Sequence, residues 1–117
     1  MHPYFVIRES KVEKYFFTLE AEDGEPVLTS RPYKLKSHVD SGMDAVREYS
    51  PSDAHYRREI SSDGRAHFVL VDINGERIGT SAEYASAEAM EEGIKIVKRI
   101  GPIARFIDIS KTHAIYP

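Results

Sequence analysis

Apolar and polar residues alternate along residues 15–22: Tyr15, Phe17, Leu19 and Ala21 point one way, and Phe16, Thr18, Glu20 and Glu22 the other. A period of two marks a half-buried strand. Residues 67–73 alternate too, but there His67, Val69, Val71 and Ile73 are mostly apolar opposite Phe68 and Leu70. That pattern predicts a strand buried on both faces, nearer the middle of a sheet. Asp23-Gly24 and Asn74-Gly75 close the two runs. Such dipeptides tolerate positive φ at both centres of a tight hairpin turn. Short strands follow at Pro26 to Thr29 and Arg77 to Thr80, and others precede the hairpins at Tyr4 to Arg8 and His55 to Ile60. Ser62-Asp63-Gly64 is the turn after the last of these.

The period then lengthens to that of a helix. Leu35, Val39, Met43 and Val46 fall on one stripe, as do Met90, Ile94, Val97 and Ile100. Ser37 followed by Asp40, and Ser86 before Ala87-Glu88, supply helix starts. Lys98 and Arg99 precede the stop Gly101-Pro102, and the first helix ends near Tyr49-Ser50-Pro51. A last strand is expected at Arg105 to Ile109.

These elements occur twice. A shift of about 51 residues, without a gap, lays Phe17 and Leu19 on Phe68 and Leu70, and Asp23-Gly24-Glu25 on Asn74-Gly75-Glu76. Thr29-Ser30 falls on Thr80-Ser81, Tyr33 on Tyr84, Gly42 on Gly93, Val46 on Val97 and Pro51 on Pro102. One unit would leave an apolar face uncovered, whereas two cover each other. The expected fold is α+β: two tandem β-β-β-α-β units share one antiparallel sheet with both helices on one face. Residues 1–52 form the first repeat, 53–109 the second and 110–117 a loose tail of the same single domain.

The residues that carry the repeat, Asn74-Gly75-Glu76-Arg77-Ile78-Gly79-Thr80-Ser81 with Tyr84, Gly93-Ile94 and Val97-Lys98, resemble the YegP-like family of small, mostly bacterial proteins. The first copy shows the same pattern, with Asp23 in place of Asn, Met43 in place of Ile, and Leu35 where the helix opening has Ser. The resemblance runs from Tyr4 to about Ile109. It implies that the two units exchange their last strands, which periodicity does not reveal. It implies no activity and transfers no functional residues.

Composition narrows the classes of function. The 117 residues are 41% apolar, enough for a core without staples. The chain has no cysteine, so disulfides, thiolate zinc sites and cysteine nucleophiles are excluded. No run approaches the ~20 apolar residues of a membrane span, and the N-terminal apolar run is too short for a signal peptide. A soluble, cytoplasmic protein is expected. The net charge of −3 lacks the basic excess of most nucleic-acid binders.

The doubled Thr-Ser-x-x-Tyr (Thr29, Ser30, Tyr33; Thr80, Ser81, Tyr84) is the leading ligand-binding candidate, as two pseudo-symmetric polar pockets. Its duplication favours a structural role, because a repeat preserves what each unit needs to fold. Gly42 and Gly93 lie inside helices, where glycine costs about 1 kcal/mol relative to alanine. Close approach of the helix to the sheet, or of the helices to each other, is the expected compensation. Tyr56, Arg57 and Arg58, with Arg105 on a neighbouring strand, form a basic-aromatic group. With Tyr4 and Phe16 on the open sheet face, it is the nucleic-acid candidate.

His2, His38, His55, His67 and His113 show no metal-ligand spacing. Glu91-Glu92 lies among Lys95 and Lys98 as an ordinary solvated helix face. No nucleophile elbow, P-loop or dinucleotide fingerprint is present, so no catalytic residue, metal or cofactor is assigned. The reading is a small, monomeric, non-enzymatic module that holds an unknown protein or peptide on its open sheet face or a strand edge. The alternatives are a single-stranded nucleic-acid binder and a small enzyme or metabolite binder.

Overall fold

The computed structural model describes residues 2–12 and 14–110. Strands β1 (Tyr4–Glu9), β2 (Tyr15–Glu20) and β3 (Pro26–Ser30) lead into helix α1 (Ser37–Tyr49). A single 3₁₀ turn, Asp53–His55, precedes β4 (Tyr56–Ile60), β5 (Ala66–Val71) and β6 (Arg77–Thr80), followed by α2 (Ala87–Ile100) and β7 (Arg105–Asp108). The strands form one sheet in the order β4-β5-β6-β3-β2-β1-β7. Both helices cover the same face, over one continuous core that includes Phe5, Phe17, Leu28, Phe68, Met43 and Met90.

The hairpin turns differ from the expected two-residue form. Gly24 donates its N–H to the Ala21 carbonyl while Ala21 donates to Glu25. This makes a three-residue loop in which only the glycine needs the left-handed region, at φ 85°. Gly75 and Gly64 repeat the same bonds with Asp72 and Ser61. Beyond the Gly24 and Gly75 turns, Val27 in β3 and Ile78 in β6 are each one residue extra. They shift the register between Leu19 and Glu20 and between Leu70 and Val71, whereas the strands joined by the Gly64 turn pair without a shift.

The centre of the sheet is the antiparallel pair β3–β6, not β5. Thr29 there faces Thr80, its own copy, so a pseudo-twofold axis passes between them. Leu28 and Gly79 are also copies of each other. A Cβ on Gly79 would lie 2.8 Å from the Thr29 carbonyl oxygen and 3.0 Å from Leu28 Cγ. The space beside the axis takes one leucine, not two. In the helix layer Ser50 packs against Gly101, again its own copy.

The last strands are exchanged. β4, which follows α1, pairs with β5 of the second unit, while β7, which follows α2, pairs with β1 of the first. The β1–β7 pair is parallel, which makes the sheet mixed where a wholly antiparallel one was expected. Symmetry supplies the reason. β4 serves both as the last strand of one unit and the first strand of the next. Its mate across the axis would therefore take the place and direction of β1. β1 already occupies that place, so β7 keeps the direction and lies one strand further out.

In the helices Val39, Met43 and Val46 are buried as the stripe predicts, as are Met90, Ile94, Val97 and Ile100. Leu35 precedes α1 and is exposed. Ser86 caps α2 by accepting the Ala89 N–H at 3.1 Å, whereas α1 has no side-chain cap. Of the expected loose tail, Ser110 is buried and donates its hydroxyl to Asp108. Residues 111–117 lie outside the described residues.

The helical glycines are explained by tyrosine rather than by the other helix. A Cβ on Gly42 would overlap the Tyr33 hydroxyl and lie 2.8 Å from its Cζ, and one on Gly93 would meet Tyr84 in the same way. Each ring wedges between helix and sheet, and its backbone is pinned to the neighbouring strand: Tyr33 to Tyr15, Tyr84 to Ala66. We predict that Gly93→Ala destabilises the protein by about 1–3 kcal/mol through overpacking, although alanine is the better helix former. Tyr84→Phe, which removes the closest atom, should restore part of that loss in the double variant. Chemical denaturation of the four forms measures this, and an unchanged or raised stability of Gly93→Ala alone would refute the wedge.

Candidate functional site

The doubled Thr-Ser-x-x-Tyr is divided between the two faces of the sheet. Thr29 and Thr80 face each other on the uncovered side. Ser30 points into the helix-covered side, where its Oγ accepts the Phe17 N–H at 2.9 Å and donates to the Arg31 carbonyl at 2.8 Å. Ser81 makes the same two bonds, accepting from Phe68 at 2.9 Å and donating to Ala82 at 2.7 Å. Both hydroxyls are therefore spent at the point where the chain leaves the sheet. Tyr33 and Tyr84 are committed to the glycine contacts above, and burial pushes the Tyr84 phenol above its ordinary pKa.

The basic-aromatic group is not assembled. β4 and β7 lie at opposite ends of the sheet, so Arg105 is as far from Arg57 and Arg58 as the fold allows. Tyr56 points into the core at 6% exposure, packs tilted against Phe68 and donates its hydroxyl to the Ser50 carbonyl at 2.7 Å. It offers no ring to the open face. Burial raises its pKa. Arg58 lies on the same side, bound to Glu91 at 2.5 Å and Asp53 at 2.8 Å, while Arg57 pairs with Glu59 at 3.2 Å. Consecutive strand residues face opposite ways, so these three side chains never share a surface. Lys98 also binds Asp53, at 2.7 Å, and Glu92 alone takes Lys95. The expected face of i, i+4 partners along α2 thus turns into a clamp that ties α2 to β4.

Arg58, helped by Lys98, holds the Asp53 carboxyl at about 2, well below its ordinary 3.8. It also lowers the Glu91 carboxyl. Among the described residues no group of three or more His, Asp or Glu gathers as a metal would require. His55 bonds the Val71 carbonyl through Nδ1 at 3.0 Å, and His67 lies 3.5 Å from Glu59.

The two outer edges of the sheet differ in chemistry. β4 carries Arg57, Arg58 and Glu59, the charges that discourage edge pairing, with Ile60 exposed at its end. β7 carries Phe106 at 55% exposure and Ile107 at 44%, with Ile109 beyond it at 53%. Arg105 and Ile109 donate their N–H groups to Pro3 and Ile7. In a parallel pair alternate residues bond the neighbour, so the N–H and C=O of Phe106 point away from β1. A cleft flanks β7 on each side. One, about 280 Å³, is lined by Asp40, Met43, Asp44, Arg47 and Phe106 under α1. The other, about 260 Å³, lies on the open face among Arg8, Glu9, Phe16 and Ile109.

A family model described as a domain of unknown function, DUF1508, matches the chain twice, over residues 10–56 and 61–108. The chain belongs to this family. Relatives align with it over nearly their whole length. A UPF0339 protein of Acinetobacter baylyi is 36% identical over 94% of this chain and 99% of its own. The UPF0339 protein YegP of Escherichia coli K12 is 36% identical over 86% of this chain and 92% of its own. The solution NMR structure of yegP from Escherichia coli, described as a protein of unknown function, superposes with a TM-score of 0.89 at 33% identity over 96% of this chain and 97% of that one. That of a UPF0339 protein from Shewanella oneidensis gives 0.89 at 32%, covering 100% and 99%.

The first DUF1508 match ends at the start of β4 and the second begins just after it. The β7 edge and its clefts escaped the sequence reading. Residues 105–109 read as a strand, but nothing local marks it as the outermost one. Asp40, Asp44 and Arg47, spaced four and three apart on α1, were the available sign of a charged helix face beside it.

Two predictions follow from the bonds above. Ser30→Ala and Ser81→Ala each leave a buried strand N–H unpaired, and each should cost about 1–3 kcal/mol in denaturant midpoints; equal stability would show that the hydroxyls are dispensable. Because the Asp53 carboxyl is lowered on folding, its contribution is complete above 3.8 and fades as pH falls toward about 2. An NMR titration should place its midpoint near the lower value, and Arg58→Met should move it up; a midpoint at 3.8 in the unaltered protein would contradict the clamp.

Proposed function

We propose that this chain is a non-enzymatic binding module that takes up an extended peptide as an added strand along β7. The observation that carries the reading is the inequality of the two edges at their centres: Arg57, Arg58 and Glu59 of β4 are charged and paired, while Phe106 and Ile107 of β7 are exposed and apolar. Strand addition requires outward backbone groups and side-chain pockets at alternate positions. Phe106 offers the backbone groups, and the clefts on either side of β7 offer the pockets.

The two clefts suit different side chains. Under α1, Met43 and Phe106 would pack the aliphatic stem of a lysine or arginine while Asp40 meets its charge; Asp44 is already paired with Arg47 at 2.8 Å. On the open face, Phe16 and Ile109 would receive an apolar side chain. The expected ligand is therefore a short extended peptide in which basic and apolar residues alternate.

Selection from a phage-displayed library of random linear peptides, followed by NMR with the enriched sequences, tests the proposal. Basic-apolar alternation among the selected peptides, and slowed exchange of the Phe106 amide on binding, are expected. Phe106→Pro removes that outward N–H and should abolish binding while the melting temperature is retained. Selected peptides that perturb β4 or the centre of the open face instead would overturn it.

A further inference from the structure

We infer that the cleft between α1 and the β5–β6 turn binds a free α-amino acid with an apolar side chain. The cleft has a volume of about 210 Å³ and a rim of four charged residues, Arg31, Arg77, Asp72 and Glu76, above a floor that includes Ala45 and Ile78. Pockets for drug-sized ligands start near 300 Å³, so its occupant is a small metabolite.

The internal repeat separates what folding needs from what it does not. Tyr33, Gly42 and Ile78, which also line the cleft, have close counterparts in Tyr84, Gly93 and Val27. The rim charges do not. The copy of Arg31 is Ala82, and the residues equivalent to Arg77 and Asp72 are Pro26 and Ala21. Only Glu76 recurs, as Glu25. The same backbone therefore forms without three of the four charges; Asp72 also braces its own turn, but the repeat shows no such need for the two arginines.

Their arrangement points to the ligand. Arg31 lies over the Tyr33 ring, its Cζ 4.8 Å from the centroid. Among the described residues neither Arg31 nor Arg77 forms an ion pair with Asp72 or Glu76. Asp72 Oδ1 accepts the turn N–H groups of Asn74 and Glu76, which fixes its carboxylate at the mouth. Two guanidinium groups and two carboxylates thus border one small apolar floor without cancelling each other. A simple anion would be drawn by the arginines and repelled by the acids; an amine would meet the reverse. A molecule with a carboxylate and an ammonium on one carbon satisfies both, with its side chain on Ala45 and Ile78.

Titrating the full chain with L-leucine, and separately with 4-methylpentanoate and 3-methylbutylamine, tests this by amide NMR shifts. The first probe carries both charges and each of the others only one. Saturable shifts at Ser41, Gly42 and Ile78 are expected with leucine, and binding about tenfold weaker or worse with either single-charge probe. Arg31→Ala installs the residue of the second copy, so the fold should be kept while leucine affinity falls about tenfold. Arg77→Gln provides a second reading should the first variant melt early. No saturation with leucine, equal binding of a single-charge probe, or unchanged affinity in both variants would each overturn the assignment.

Discussion

Each half of this chain makes an apolar sheet face that its own helix leaves partly bare, and burial of that face across the seam holds the structure together. α1 lies on β2 of its own half and reaches β5 and β6; α2 lies on β5 and reaches β3. The backbone pairing at the seam is brief, with Thr29 on Thr80 and Ser30 on Gly79. Side chains therefore carry the junction. Leu28 fills the space left by Gly79, and Val27 and Ile78 enter the common core from either side. Apolar area removed from water is worth about 25 cal/mol per Å², and much of this area is covered only when both halves are present.

Duplication acts as a filter on the meaning of residues. The serine bridge at the end of β3 and β6 and the tyrosine wedged on a helical glycine occur in both halves, with matching distances. Their recurrence is what a requirement of folding looks like. Features present once are of another kind. β7 occurs once because β4 serves two units, and its outward side has no counterpart across the axis. The arginines at the β5–β6 turn occur once although the backbone around them occurs twice.

What the sequence disclosed follows the range of the forces involved. Strands, helices and their repeat are local, set by periods of two and of about 3.6 residues, and they were legible from Tyr4 to Asp108. The helical glycines announced a close neighbour, and Tyr33 and Tyr84 stood nearby in the same repeat. The identity of that neighbour needed the loop that folds each ring back onto its helix. Tyr56, Arg57 and Arg58 are adjacent in sequence but not in space, because the alternation seen in β2 holds in β4 too and puts Tyr56 and Arg58 on one face and Arg57 on the other. The pairing of β7 with β1 is long-range, set by which place in the sheet was already taken, and no local pattern in residues 105–109 encodes it.

The two edges show how the fold treats exposed strands. At β4, Arg58 joins Asp53 on the preceding turn to Glu91 on α2, so the outermost strand is clamped and charged. β7 is held on its inner side. Its parallel bonds to β1 are reinforced by Lys36 at the entry to α1, which pairs with Asp108 at 2.5 Å. Burial would raise the Asp108 pKa, but Lys36 and Ser110 outweigh it and keep the carboxylate charged. A strand fixed on one side and apolar on the other presents an ordered edge, so an incoming segment would bear the entropy of ordering itself and little of the cost of ordering the receptor.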